Sequence, residues 1–219
     1  RPAYNAQMLE AIVKNLEKFP LSRPQPEDSQ SRLSAAVLVA LIDSGEVPEI
    51  ILTQRAHHLN SHAGEVAFPG GMWDSVDADL MQTALREAKE EIDLDPALVD
   101  IIATLPSATP RRRNLQVTPF VGLLAGFPAL IGDPSEIGSI FTVPINYFLD
   151  IDRYSSLELT YQGELISFPC LDYRDGQDRE YRIWGFTLRV ITDMLNETLS
   201  AGLNLDYPSH QQIQLLRNR

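Results

Sequence analysis

Apolar side chains fall at positions 8, 9, 12, 13 and 16, the spacing of one helical face, and Pro20 ends that pattern. A polar, proline-containing stretch, SRPQPEDSQS (22–31), then leads into SAAVLVALI (34–42), a continuous apolar run of strand length. Such a run suits a strand covered on both faces. EIILTQR (49–55) reads as its partner, with SGEVP as the turn between them. GEVAFPGG (64–71) reads as a short strand ending in a Pro-Gly-Gly break, and an amphipathic helix follows, with Asp77 as its N-cap. Further strands are expected at 101–105, 115–124 and 136–144. A hairpin-like pair follows, formed by LELTYQGELISF (157–168) and REYRIW (179–184), with DGQD as the turn. A second strong helical pattern covers 185–199. Strands in the middle with helices at intervals predict one α/β domain with a mixed sheet over residues 1–219: an N-terminal helix within 1–20, a core from 30 to 195 and a tail from 200 to 219.

The helix after the Gly-Gly break carries the sharpest feature of the chain, REAKEE. Leu80, Met81, Ala84, Leu85, Ala88 and Ile92 fall within an arc of about 140°, and small Ala84 and Ala88 allow close approach to a sheet. Glu87, Glu90 and Glu91 occupy an arc of about 100° that overlaps the edge of that face. Arg86 is placed to pair with Glu90, which leaves Glu87 and Glu91 as a like-charge pair at i,i+4. A solvated helix face tolerates such a pair. A hard divalent cation requires it, because Mg²⁺ is bound by converging carboxylate oxygens. The glycines just upstream offer close backbone approach and a carbonyl as a further ligand. Spacing alone leaves both readings open.

Composition narrows the partners. With 18 basic against 30 acidic residues the formal charge is −12, which argues against a nucleic-acid polymer or an anionic membrane as the main target. A small phosphorylated substrate stays compatible, since bound cations invert the local charge. One cysteine, Cys170, cannot form an internal disulfide, no run approaches a membrane span, and the N-terminal stretch lacks a signal-type apolar core; the expected location is the cytoplasm.

The box from Gly71 to Leu94 resembles the signature of the Nudix hydrolases. Asp77 stands at its first Glu, and Arg86-Glu87-Ala88-Lys89-Glu90-Glu91-Ile92-Asp93-Leu94 completes it. It departs by one extra residue between Asp77 and Arg86, by Ala88 for a larger aliphatic, and by Asp93 for the final Gly, a position where Asp tolerates the left-handed backbone. ILTQRAHHLNSHAGEVAFPGG (51–71) is similar to the segment preceding the box in the coenzyme A pyrophosphatase branch. Thr53, Arg55, Ala56, Gly64, Phe68, Pro69, Gly70 and Gly71 match, while Asn60 stands where that pattern has a second Arg. LQVTPFVGLL (115–124), SEIGSIFTVPINYFL (135–149) and IWGFTLRVI (183–191) extend the likeness over roughly residues 30 to 195.

The resemblance implies a Nudix-type α/β/α sandwich with the catalytic helix after a Gly-Gly loop. It also implies Mg²⁺- or Mn²⁺-dependent hydrolysis of coenzyme A or an acyl derivative to 3′,5′-ADP and 4′-phosphopantetheine. Glu87, Glu90 and Glu91 would hold the ions, with the Gly70 carbonyl as an extra ligand. Glu136 is the candidate general base, Arg55 a phosphate ligand, and the cluster Arg111, Arg112 and Arg113 a receiver for the 3′-phosphate. Arg86 orients a glutamate rather than touching substrate. His57, His58 and His62 lack the companions of a zinc site, and Trp73, Phe120 and Phe141 read as core positions. The alternatives are a Nudix hydrolase for ADP-ribose, NADH or another dinucleotide, for which Asn60 leaves room, and a non-catalytic nucleotide-sensing module. The termini are candidates for homodimer contacts.

Overall fold

The structure is a computed structural model and describes residues 2–26, 33–109, 114–161 and 163–208. Its centre is β1 (Leu33–Asp43), which runs parallel to β6 (Leu115–Ala125) in unbroken register from Leu33↔Leu115 to Asp43↔Ala125. On the other side β1 pairs antiparallel with β2 (Glu49–Arg55), and β2 pairs with β3 (Val66–Ala67) and β7 (Ile137–Pro144). β4 (Gly70–Met72) lies against β1, and β5 (Asp100–Thr104) closes the edge beyond β6. One parallel pair among antiparallel ones makes this seven-stranded sheet mixed.

The uninterrupted apolar run of β1 is explained by cover on both faces. Ala36, Leu38, Ala40 and Ile42 share a core with Ile51, Phe120, Leu124 and helix α2 (Leu80–Ile92). Val39 and Leu41, pointing the other way, join Ile50, Leu52, Val121 and Val143. That second core is closed by α1 (Pro2–Leu16), by α4 (Gly185–Leu199) and by a separate three-stranded sheet. The layers are therefore helix, mixed sheet and a helix-plus-sheet cover. A short helix α3 (Ile145–Phe148) leads from the end of β7 towards the smaller sheet.

That smaller sheet shows where the pattern of polar and apolar residues was read too coarsely. The stretch 157–168 is not one arm of a hairpin but two strands, β8 (Tyr154–Tyr161) and β9 (Glu164–Arg174), which turn at Gly163 with φ +83°. β10 (Glu180–Trp184) then pairs with β9 across the expected DGQD turn, where the Asp175 carboxylate accepts the main-chain N–H groups of Gln177 and Arg179. Phe141 of the main sheet stacks on Tyr181 of the smaller one at 3.7 Å between ring centroids, which locks the two together. α4 begins and ends where its periodicity predicts.

Two further expectations need correction. The Gly-Gly segment is not a loop: Gly70 and Gly71 are strand residues paired with Val37 and Ala36 of β1. The reason is space. A Cβ on Gly70 would sit 2.4 Å from the Ala36 carbonyl oxygen and 2.6 Å from the Val37 Cα, which are main-chain atoms that cannot move aside. Gly70→Ala is therefore expected to destabilise the fold by about 1–3 kcal/mol, the range for overpacking, with the upper end favoured because the neighbours are main-chain atoms. Urea unfolding measures it, and an unchanged midpoint would refute the close approach. The N-cap of α2, second, is Asp79 rather than Asp77: its side chain accepts the Gln82 N–H at 2.9 Å. At the other end Asp93 adopts the left-handed conformation (φ 56°, ψ 27°) expected of a residue standing in for glycine.

Candidate active site

α2 sets its three glutamates in three different environments. Glu91 is 6% exposed, and its Oε2 accepts the main-chain N–H of Gly70 at 3.0 Å. Burial pushes its carboxyl up to about 7; the Gly70 N–H and Arg55 pull down, while the charges of Glu87 and Glu136 push up. The Glu87 side chain, 18% exposed, packs under Gly71 so closely that a Cβ there would meet its Cδ at 2.5 Å. Burial raises its carboxyl as well, with Arg86 acting against the rise and Glu90 and Glu136 adding to it. Glu90 is 60% exposed and held by Arg86. The three acids thus lie from inside the packed face (Glu91) to outside it (Glu90), rather than together along its border.

Arg86 does more than pair with Glu90. Its guanidinium lies 2.9 Å from Oε1 of Glu87, so the like-charge pair at 87 and 91 is relieved on one side. It also donates to both oxygens of Asp77, at 2.8 and 3.0 Å, and to the Met72 carbonyl at 3.1 Å. Asp77, whose side chain is 2% exposed, accepts further from the Thr83 hydroxyl at 2.9 Å and the Asp74 N–H at 3.1 Å. Burial acts to raise the Asp77 carboxyl, but these donors outweigh it and the net displacement is downward. Asp77 therefore ties the loop after β4 to the middle of α2. The spacing of acid and arginine in the box is the sequence signal for this link, and the capping assignment overlooked it.

The opposite wall comes from β2 and β7. Arg55 ends β2, pairs with Ile137 across a register shift, and donates its main-chain N–H to the Glu65 carbonyl. Glu136 is the exposed residue just before β7, and its carbonyl accepts the Ala56 N–H at 2.8 Å. Both side chains act electrostatically on Glu91, so residues far apart in sequence converge on one acid. The Arg55 Nε is buried without a hydrogen-bond partner among the described residues, an unsatisfied donor whose charge acts on Glu91.

The three histidines do not converge: His58 meets the Ser135 carbonyl at 3.2 Å, His62 meets Glu65 at 2.8 Å, and His57 packs against Gly64. Phe120 and Phe141 are core residues, and Trp73 donates its indole N–H to the Asp77 carbonyl. Arg111, Arg112 and Arg113 lie outside the described residues.

Among the described residues no three acid, histidine or cysteine side chains form a ready-made metal cage. The donor chemistry nevertheless fits a hard cation. The buried Glu91 and the partly buried Glu87 have their charged forms disfavoured by burial and by neighbouring acids, Glu87 and Glu136 acting on Glu91 and Glu90 and Glu136 on Glu87, which is the imbalance a divalent ion corrects. The missing Cβ of Gly71 leaves room against Glu87.

A mixed sheet with a Gly-Gly strand laid against a helix of three glutamates and an arginine clamp defines a class of protein, and the comparisons agree. A NUDIX domain family model matches residues 32–151, and the chain belongs to that family. It is 36% identical over 182 residues to "Uncharacterized Nudix hydrolase NudL" of Enterobacter sp. (strain 638), covering 82% of this chain and 90% of that protein. The protein of the same name from Salmonella paratyphi B is 35% identical over 180 residues, with 82% and 90% covered. Among solved structures, a MutT/nudix family protein from Enterococcus faecalis superposes with a TM-score of 0.51 at 15% identity, covering 94% of this chain and 74% of that one. This is a Nudix hydrolase, of a family that acts on small nucleotide-type substrates and generally uses divalent metal ions. Among the described residues no helix is long and apolar enough to cross a membrane.

Proposed function

We propose that this Nudix hydrolase cleaves the diphosphate bond of coenzyme A or its acyl derivatives, releasing 3′,5′-ADP and (acyl-)4′-phosphopantetheine. The observation that carries the reading is the path of residues 51 to 71. The stretch that resembles the coenzyme A branch runs through β2 and β3 to β4, with the Arg55 charge acting on Glu91 from one end and Gly70 bonded to Glu91 at the other. Substrate recognition and ion binding thereby share one acid.

Glu87, Glu90 and Glu91 would hold Mg²⁺ or Mn²⁺, with the Gly70 carbonyl as a further oxygen ligand. Bound there, such ions would supply charge neutralisation for the diphosphate and would acidify a water towards neutral pH. Arg55 offers its unsatisfied donor and planar fork to a phosphate. Glu136, on the far wall from Glu87, accepts the proton of the attacking water. Arg86 fixes the side chains of Glu87 and Glu90. Arg111, Arg112 and Arg113, by sequence, supply the positive charge for the 3′-phosphate that Asn60 does not.

Asn60 favours a second reading, hydrolysis of ADP-ribose, NADH or another dinucleotide, because those substrates without a 3′-phosphate do not need the absent arginine. A substrate panel separates the two. Coenzyme A incubated with Mg²⁺ or Mn²⁺ is expected to yield 3′,5′-ADP by mass, and EDTA should abolish the product. Turnover of ADP-ribose alone would end the coenzyme A assignment.

A further inference from the structure

One short stretch of backbone joins the glutamate helix to Glu136, and Asp133 stands at its centre. Ile131 and Asp133 donate their main-chain N–H groups to the carbonyls of Ile92 (3.0 Å) and Glu91 (2.8 Å), which the helix itself leaves unpaired in its last turn. The Asp133 carbonyl accepts the N–H groups of Glu136 (3.0 Å) and Ile137 (2.7 Å). Its carboxylate oxygen Oδ1 accepts both the N–H of Ser135 at 2.8 Å and the Ser135 hydroxyl at 2.7 Å. The stretch is then pinned to the segment just after β2, through Ala56 N–H to the Glu136 carbonyl and His58 against the Ser135 carbonyl.

Glu136 is exposed, so packing does not orient it. Its charge acts on Glu87 and Glu91, and the backbone before it sets where its side chain starts. Pro134 has a fixed φ and restricts Asp133 in turn. The freedom left in the turn belongs to Ser135, and the Asp133 carboxylate binds both of that residue's donors. We infer that Asp133 is a positioning residue. Its carboxylate rigidifies the turn 133–136 so that Glu136 projects towards the glutamates of α2. This inference rests on Glu136 acting as the proton acceptor.

Four variants test it, with coenzyme A and Mn²⁺ as the assay, or whichever panel substrate is turned over: Asp133→Ala, Asp133→Asn, Glu136→Gln and the double change Asp133→Ala/Glu136→Gln. Asp133→Ala is expected to lower kcat about tenfold through misplacement of the acceptor, with KM and melting temperature unchanged. Asp133→Asn keeps an acceptor oxygen and should recover most of the rate. In the Glu136→Gln background the Asp133→Ala change should cost nothing further, because two residues acting through one group are not additive. Amide exchange at Ser135 and Glu136 should quicken in Asp133→Ala, a readout independent of turnover.

An unchanged kcat in Asp133→Ala overturns the inference, and so does an equal loss in the Glu136→Gln background. A lowered melting temperature, or faster exchange spreading into α2, overturns it in favour of a brace for the helix end. Full activity in Glu136→Gln removes the proton acceptor and the inference with it. Loss in Glu136→Gln but none in Asp133→Ala removes the positioning role alone.

Discussion

Glu91→Gln is expected to slow hydrolysis by about 10²–10³-fold, the scale on which removal of one preorganised charge from a reacting centre is felt, while the metal-free protein melts no lower than the parent. The two halves of this result come from the same geometry. The amide retains an oxygen that accepts the Gly70 N–H, so the packing of α2 against β4 persists. It loses the charge that burial, Glu87 and Glu136 all disfavour, so the folded state gains or stays level. A ligand carboxylate that opposes folding and is needed for turnover is the expected mark of a cation site. Initial rates with Mg²⁺ and thermal melts decide the matter together. Normal turnover with a normal melt would sink the assignment of Glu91 as a cation ligand, whereas absence of turnover in the parent itself is what the nucleotide-sensing alternative requires. Glu90→Gln is the companion, because Glu90 is exposed and its loss perturbs the fold little.

Arg86→Ala is expected to be the most destabilising of the single changes at this site, by about 3–5 kcal/mol, the cost of stranding one member of a buried ion pair. Removing the guanidinium leaves Asp77 charged, buried and, among the described residues, supported by Thr83 and the Asp74 N–H alone. Asp77→Asn in the same chain should recover much of the loss, since it neutralises the stranded group. The pH dependence follows the same link. The folded Asp77 carboxyl is depressed, so its contribution is present above the ordinary aspartate range and lost as pH falls through the lowered folded value. Urea unfolding at pH 7 and at pH 3 should show the difference between parent and variant shrinking on the acid side. A loss under 1 kcal/mol at pH 7, about the worth of a surface pair, would sink the clamp.

Much of the architecture was legible because it depends on short-range pattern. The apolar run 34–42 announced a strand covered on both faces, and the periodicity of 185–199 gave α4 its bounds, since both signals are carried by the residues themselves. The glutamates of α2 were legible as a set, but their ranking was not. Helix spacing gives an angle around an axis, whereas burial depends on β4 arriving over Glu87 and Glu91. The pairing of Gly70 and Gly71 with β1 is a contact across more than thirty positions, invisible to any local rule that reads Pro-Gly-Gly as a break. Asp77 misled for a related reason: one residue type serves as a cap or as a partner for an arginine, and only the arrival of Arg86 distinguishes the roles. The meeting of Arg55 and Glu136 around Glu91 came from resemblance in one case and position before a strand in the other; sheet register is what unites them.

Glu91 is placed by a main-chain amide, and main-chain amides do not drift. Almost any exchange of side chains along residues 66 to 72, the glycines apart, leaves that N–H where it is; only proline would delete it. This edge of the molecule is thus insulated from sequence change nearby, its surrounding side chains free to vary while the acid beneath them stays in register with the central sheet.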